Sequence, residues 1–243
     1  MTDVGYAAFF LDRWRIDHIL PLPRVAADRN DQIGLVKRIV GARLGLYLPR
    51  NMLNDLTSPL SLLETRRSAK PRELVGPGPT PEELAEILTI AARIPDHGKL
   101  HPWRFLTVDE DQRDAFAALL HEALAEENPE ATDAHHKKED EFAHYDGQLI
   151  VLVSAPIEGH KIPVWEQQLS AGAAGMNLLM GAHALGYAAG WVTGWRAYSE
   201  RVRQAFCGPG ERIAGFVFIG HPARELEERE RPALSDVWCR WKP

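Results

Sequence analysis

The sequence is poor in cysteine, has no long apolar run and has no excess of basic residues. Its two cysteines, Cys207 and Cys239, lie far apart and outside any CxxC spacing, so neither a disulfide framework nor a common zinc motif is predicted. No apolar run reaches the roughly 18–20 residues that a membrane-crossing helix needs. The net charge of −6 argues against bulk nucleic-acid binding, which favours a basic face.

Several common catalytic motifs are also missing. The chain has no Gly-x-Ser-x-Gly elbow and no glycine-rich loop ending in Gly-Lys-Ser/Thr, so neither a serine hydrolase nor a P-loop nucleotidase is indicated. Residues 1–11 lack the basic region and apolar segment of a secretory signal. With so few cysteines, we expect a cytoplasmic protein. The hydrophobic content of 45% in 243 residues is enough for a substantial core.

The beginning of the chain differs from the rest. Residues 1–55 carry more Lys and Arg than Asp and Glu although the whole chain is acidic. Within them, residues 33–48 are basic and apolar, which is typical of an amphipathic segment for a membrane surface or a partner. Three glycines in that stretch each cost about 1 kcal/mol in a helix. We interpret residues 1–55 as a loosely attached extension of unknown role, with membrane contact left open, and residues 56–243 as the functional domain.

Helix and strand patterns alternate irregularly after residue 56, which indicates a sheet with helices around it. Thr80, Pro81 and Glu83 form a typical helix start with a capping box. We expect helices at 60–66, 81–94, 111–126, 163–185 and 199–206, and strands at 104–108, 149–153, 188–195 and 213–219. The polar, histidine-rich segment 128–147 predicts a mobile loop or a poorly ordered helix.

A basic triplet follows the first helix pattern. Arg66 and Arg67 offer planar donor forks that match phosphate oxygens, and Ser68 adds a hydroxyl donor. The triplet alone is weak evidence, because arginines at a helix end are also favourable as a solvated terminus.

Five segments in a fixed order carry a resemblance to a known family. They are Glu64-Thr65-Arg66-Arg67-Ser68, Ala91-Ala92-Arg93-Ile94-Pro95-Asp96-His97-Gly98, Pro102-Trp103-Arg104-Phe105, Lys161-Ile162-Pro163-Val164-Trp165-Glu166-Gln167, and Leu185-Gly186-Tyr187 leading to Gly190-Trp191-Val192-Thr193-Gly194. Residues 58–241 resemble the FMN-dependent nitroreductases, most closely their short, minimal-type branch. The resemblance implies an α+β fold with a central mixed, mainly antiparallel sheet flanked by helices.

The resemblance also implies a function. The expected protein is an obligate homodimer with FMN at the subunit interface, NADH or NADPH as reductant and a ping-pong cycle. A small-molecule acceptor such as a nitro compound or a quinone would receive the electrons. An FMN-binding storage or redox-sensing module without efficient turnover is the alternative, and reductive dehalogenation or enoate reduction on the same fold is a third interpretation.

The resemblance assigns roles to two basic groups of residues. Arg66, Arg67 and Ser68 match positions that meet the flavin phosphate, ribityl chain and ring edge. Arg231 matches a later phosphate contact, although the neighbouring glutamates also favour an ordinary surface ion pair. Arg93 and His97 match positions that approach the flavin from the partner subunit. Their alternatives are a charge at a helix C-terminus and a loop histidine bonded to nearby backbone.

A third group lies on a predicted strand. Trp191, Val192 and Thr193 match the segment that lies against the flavin ring, and Val192 stands where this branch often carries a basic residue. No side chain is nominated as general acid and no metal site is predicted. We interpret the three histidines of the 128–147 segment, at 135, 136 and 144, as part of a solvated surface.

Overall fold

The computed structural model describes residues 53–242, so residues 33–48 and nearly all of the predicted extension lie outside the described part. The last residues assigned to the extension are bonded to the domain. Asn54 Nδ2 donates to the carbonyl oxygen of Tyr187 at 2.6 Å, and the Asp55 N–H donates to Thr65 Oγ1 at 2.9 Å. Within residues 53–242, no helix combines the length and apolar character needed to span a membrane.

A five-stranded sheet forms the centre of the domain. Its strands are β1 (Leu74–Val75), β2 (Trp103–Val108), β3 (Gln148–Ser154), β4 (Ala188–Val192) and β5 (Arg212–Pro222). The strand order is β1-β5-β3-β2, and β4 also pairs with β5. Every pairing among these strands is antiparallel, which confirms the mainly antiparallel prediction, whereas no parallel pair of a mixed sheet occurs in the described part.

Seven α-helices surround the sheet within residues 53–242. They are α1 (Pro59–Thr65), α2 (Pro81–Ala91), α3 (Arg113–Glu127), α4 (Asp133–Ala143), α5 (Val164–Ala184), α6 (Glu200–Phe206) and α7 (Leu234–Val237). The predicted capping box is confirmed, since Thr80 Oγ1 accepts from the Glu83 N–H and Glu83 Oε2 accepts from the Thr80 N–H. Gly186, the predicted C-cap, follows α5 with a φ of +88°.

Two of the predicted elements are corrected by the structure. The strand expected at 188–195 ends at Val192, because Gly194 adopts a φ of +68° and a short 3₁₀ turn, Trp195–Ala197, follows it. The segment predicted as a loop or poorly ordered helix contains the regular helix α4. Thr132 and His135 cap its first turn, and Phe142 and Ala143 are buried on its inner face. This mostly polar segment therefore forms a helix with one buried face.

The core has a layer on each face of the sheet. Helices α2 and α5 cover one face, where Ile87 and Leu178 pack against Val217. Helices α3, α4 and α6 cover the other face, where Phe116 and Phe142 pack near Phe216. Long apolar runs in β3 and β5 follow from this double burial.

Candidate functional site

The basic triplet runs beside strand β4. After α1 ends, the Ala69 N–H donates to the carbonyl oxygen of Ala189 at 3.0 Å. A Cβ atom at Gly190 would lie 2.2 Å from the carbonyl oxygen of Ala69, so no side chain fits at that position. Glycine at 190 therefore lets the segment after Arg66 pack directly on the strand that carries Trp191 and the residues after it.

The structure brings four predicted site residues together. Arg66 Nη1 donates to Ser68 Oγ at 3.3 Å. The Arg67 side chain is buried, and its Nε lies 3.1 Å from Glu228 Oε2. Arg231 Nη2 donates to the other carboxylate oxygen of Glu228 at 2.8 Å. Arg231 thus makes the surface ion pair that was its alternative interpretation, and through Glu228 it also joins the basic cluster.

The basic cluster is electropositive, and its members are Arg66, Arg67, Ser68, Glu228 and Arg231. Burial, together with the charge of Arg231, lowers the pKa of the Arg66 guanidinium. Burial pushes the pKa of Glu228 upward, but the hydrogen bond and charge of Arg231 and the charge of Arg67 outweigh it and hold that pKa below its ordinary value. One carboxylate among three guanidiniums leaves an excess of positive charge in a partly desolvated place, which suits a phosphate.

A histidine that the sequence analysis missed lies next to this cluster. His183, in the last turn of α5, is fully buried, and neither ring nitrogen has a hydrogen bond within residues 53–242. Burial, followed by the charge of Arg66, lowers the pKa of His183 to about 4, so its imidazole is neutral near pH 7. In the sequence it is one of several polar residues of α5, a helix rich in small residues, so nothing local marked it as functional.

Thr193 lies between two cavities at the end of β4. One cavity, of about 360 Å³, is lined by Lys70, Pro71, Arg72, Phe142, Tyr145, Val192, Thr193, Gly194 and Arg196. The other, of about 280 Å³, places Thr193 against Gln168 and Gly172 of α5. Trp191 itself packs in the core, where its Nε1 donates to the carbonyl oxygen of Ala214 at 3.0 Å.

Lys70 is a second residue that the sequence analysis missed. It follows Ser68 by two positions, and burial alternates along residues 65–70, so both side chains lie on the less buried side of this segment. That alternation was the signal that could have found it.

The loop that carries Arg93 and His97 is held by helix α5. Asn177 Nδ2 donates to the carbonyl oxygen of Arg93 at 2.9 Å, and Ser170 Oγ donates to that of Pro95 at 2.8 Å. His97 Nδ1 lies 2.7 Å from Glu166 Oε2, so among residues 53–242 this histidine pairs with a carboxylate and not with nearby backbone. Trp103, which begins β2 after this loop, is buried.

Within one chain, the loop and Thr193 lie on different sides of α5. Glu166, Ser170 and Asn177 share one face of the helix, since residues advance by 100° each. Gln168, which lines the cavity with Thr193, comes two residues after Glu166 and points to the opposite side. The predicted site residues therefore form two groups in a single chain: the basic cluster with Thr193, and the 93–97 loop.

The histidines of the 128–147 segment make separate local contacts. His135 caps α4, His136 Nδ1 lies 2.9 Å from His121 Nδ1, and His144 Nε2 lies 3.0 Å from Asp114 Oδ1. No group of three or more potential ligands suited to a metal ion occurs in the part of the chain described here.

Comparison with known proteins identifies the family. The model of the nitroreductase family matches residues 63–221, so the chain belongs to the nitroreductase family. It is 38% identical over 167 residues to a protein of Escherichia coli strain K12 named as an NAD(P)H nitroreductase, YdjA, covering 67% of this chain and 87% of the relative.

Solved structures share the fold. A nitroreductase-like family protein from Bacillus cereus matches with a TM-score of 0.67 and 20% identity, covering 77% of this chain and 97% of the other. A nitroreductase from Desulfovibrio desulfuricans, solved in complex with FMN, matches with a TM-score of 0.57 and 22% identity, covering 76% and 98%. These matches bear out the predicted nitroreductase fold.

Proposed function

We propose that this protein is an FMN-dependent oxidoreductase that uses NADH or NADPH to reduce nitroaromatics, quinones or a related small acceptor. The observation that carries the proposal is that the segment after Arg66 runs beside β4. This segment connects the basic cluster at Arg66 with the cavities at Thr193. A ligand with a phosphate at one end and a flat ring at the other fits both features. The name of the E. coli relative and the FMN bound to the D. desulfuricans neighbour support the same choice.

The residues present suit such a cofactor. Arg66, Ser68 and Arg231 would hold the phosphate through charge-assisted hydrogen bonds, with Glu228 giving up part of its contact to Arg231. The backbone around Thr193, at the 280 Å³ cavity, would hold the ring. The flavin, when bound, supplies the hydride chemistry, and the protein supplies binding, orientation and electrostatics. Donor and acceptor would use the same ring face in turn, which gives the proposed ping-pong order.

We also propose that two copies of the chain complete each site. Trp165, Leu169 and Met176 form an exposed apolar stripe along α5, with exposed fractions of 68%, 54% and 39%. On the same face, no atom of residues 53–242 lies within 4 Å of a Cβ built at Gly172. A second copy packed on this stripe would cover it and place its own 93–97 loop beside Thr193. Arg93 and His97 of the second copy could then contact the flavin.

The Arg66 assignment is tested with Arg66→Ala. We expect the purified variant to lose most of its FMN, because a phosphate contact through a charged donor contributes about 1.5–3 kcal/mol, or roughly 10- to 100-fold in Kd. FMN stoichiometry is measured by absorbance after denaturation, and Kd by fluorescence quenching on reconstitution. Lys138→Ala, which removes an exposed cation on α4, is the matched control. Full FMN occupancy in Arg66→Ala would remove Arg66 from the site.

A further inference from the structure

The 360 Å³ cavity beside Thr193 is cationic. Lys70, Arg72 and Arg196 line it, and none of the lining residues in the described part of the chain carries a carboxylate. We propose that this cavity binds an anionic oxygen group, a carboxylate or a phosphate, of a molecule that reacts at the flavin. The inference rests on the proposed function, because it takes Thr193 to be the point where flavin and reacting molecule meet.

Arg196 is the fixed part of this site. Its Nε bonds to the carboxylate of Glu139, which is buried, and its guanidinium carbon lies 3.9 Å from the centre of the Phe142 ring. Among residues 53–242, the two terminal nitrogens of Arg196 have no hydrogen bond, and the side chain is 15% accessible. A guanidinium anchored through Nε, with both terminal nitrogens free, is oriented to bind two oxygens of one anion.

Arg72 and Lys70 add charge at the rim. Lys70 Nζ lies 3.3 Å from Glu73, so part of its charge is already balanced. Arg72 is exposed and, within the described part of the chain, makes no ion pair. Arg72 is therefore the cation that can be removed with the least effect on the folded structure.

The position of the cavity limits the source of the anion. The cavity includes Val192, Thr193 and Gly194, so a group bound there belongs to a molecule whose reacting part lies at the end of β4. Two sources share the required chemistry: a carboxylate on the electron acceptor, and the 2′-phosphate that distinguishes NADPH from NADH. A neutral acceptor and NADH lack the group, so each source has an uncharged or less charged counterpart for comparison.

The proposal is tested by two rate ratios measured with the flavin-loaded enzyme. The first compares kcat/KM for 4-nitrobenzoate with that for 4-nitrotoluene, and the second compares NADPH with NADH. In Arg72→Gln we expect one ratio to fall about fivefold, with the larger effect at low salt, because an exposed ion pair is weak and screened. A fall in the first identifies an acceptor carboxylate, and a fall in the second identifies the NADPH phosphate. Lys137→Gln, which removes an exposed cation on α4, leaves both ratios unchanged. Two unchanged ratios in Arg72→Gln would overturn the proposal.

Calorimetric titration with benzoate keeps this test separate from the flavin assignment. The anion site is supported if benzoate binds the purified protein and binds more weakly to Arg72→Gln but not to Lys137→Gln. This result would hold even if the protein proves to contain no flavin and the proposed function fails. Absence of benzoate binding, together with unchanged rate ratios, would contradict the anion site while leaving the flavin function intact.

Discussion

At the scale of single residues, His183 links the core to the basic cluster. It is fully buried at the end of α5, next to Arg66, and its neutral form is strongly favoured because burial and the neighbouring guanidinium both oppose protonation. The unfolded chain carries no such restriction, so the imidazole titrates there near its ordinary pKa of about 6.5. Protonation therefore favours the unfolded state.

This difference predicts a pH dependence of stability for the flavin-free protein. With a folded pKa of about 4 and an unfolded pKa of about 6.5, the unfolded state binds more protons between these values. The stabilisation is present above pH 6.5 and is lost as pH falls to 4. We expect the free energy of unfolding to fall by about 3 kcal/mol across this window, as measured by urea unfolding at several pH values.

Two substitutions separate His183 from the other titrating groups. His183→Gln should flatten the slope of unfolding free energy between pH 4 and 6.5. His101→Gln, at an exposed histidine whose side chain is 76% accessible, should keep the slope. A wild-type slope retained in His183→Gln would show that another group is responsible.

The sequence was sufficient to predict the site residues whose side-chain type alone indicates what they bind. Arg66, Arg67 and Ser68 were predicted as a group because adjacent donors match phosphate, and the structure places them together with Arg231. The glutamates near Arg231 were considered only as its own partners, and the bond of Glu228 to Arg67, 161 positions away, follows from the fold. Lys70 and His183 were missed because their importance comes from what lies beside them.

At the scale of elements, α4 positions the turn that follows β4. Glu139 is 4% exposed, and its carboxylate accepts from Trp195 Nε1 at 3.2 Å and bonds to Arg196. Both partners follow Gly194 directly. A helix from a polar, distant segment thus holds the turn on which Thr193 and the anion cavity depend.

Removing this carboxylate tests the role of α4. In Glu139→Ala, Arg196 and Trp195 lose their buried acceptor, so we expect a loss of about 3–5 kcal/mol in unfolding free energy and weaker FMN binding. Glu141→Ala, two residues along and paired with exposed Lys137 at 3.9 Å, should change stability by less than about 1 kcal/mol. Equal, small effects in both variants would show that Glu139 does not hold the turn.

The segment 128–147 was predicted as a mobile loop or a poorly ordered helix, and the regular helix α4 was missed for a physical reason. Its apolar inner face is short, and Glu139 occupies a position on that face where an apolar residue would have given a helical pattern. Because the partners of Glu139 lie 56 and 57 positions later, no local pattern shows that this charge is buried and paired. The helices α2 and α5 were predicted well because their capping residues and apolar spacing are local.

At the scale of the whole molecule, the two groups of site residues lead to a prediction about assembly. Leu169→Glu would place a charge in the proposed interface between copies of α5. We expect a monomer by analytical ultracentrifugation and a marked loss of bound FMN, because Arg93 and His97 of the second copy would be absent. Val75→Glu, at an apolar residue of strand β1 that is 38% exposed, should leave both unchanged.

The outcome of this substitution distinguishes two forms of the site. A variant that remains dimeric would place the interface elsewhere. A monomer with full FMN occupancy would show that one chain is enough to hold the cofactor, and the division of the site between two copies would be wrong.

The central claim, that this member of the nitroreductase family is a working FMN oxidoreductase, is tested most directly by the visible absorbance of the purified protein. The account predicts flavin bands that bleach on anaerobic addition of NADH or NADPH and return when a nitroaromatic or a quinone is added. Bands that do not bleach would favour the storage or sensing function. A colourless protein that cannot be reconstituted with FMN would contradict the account.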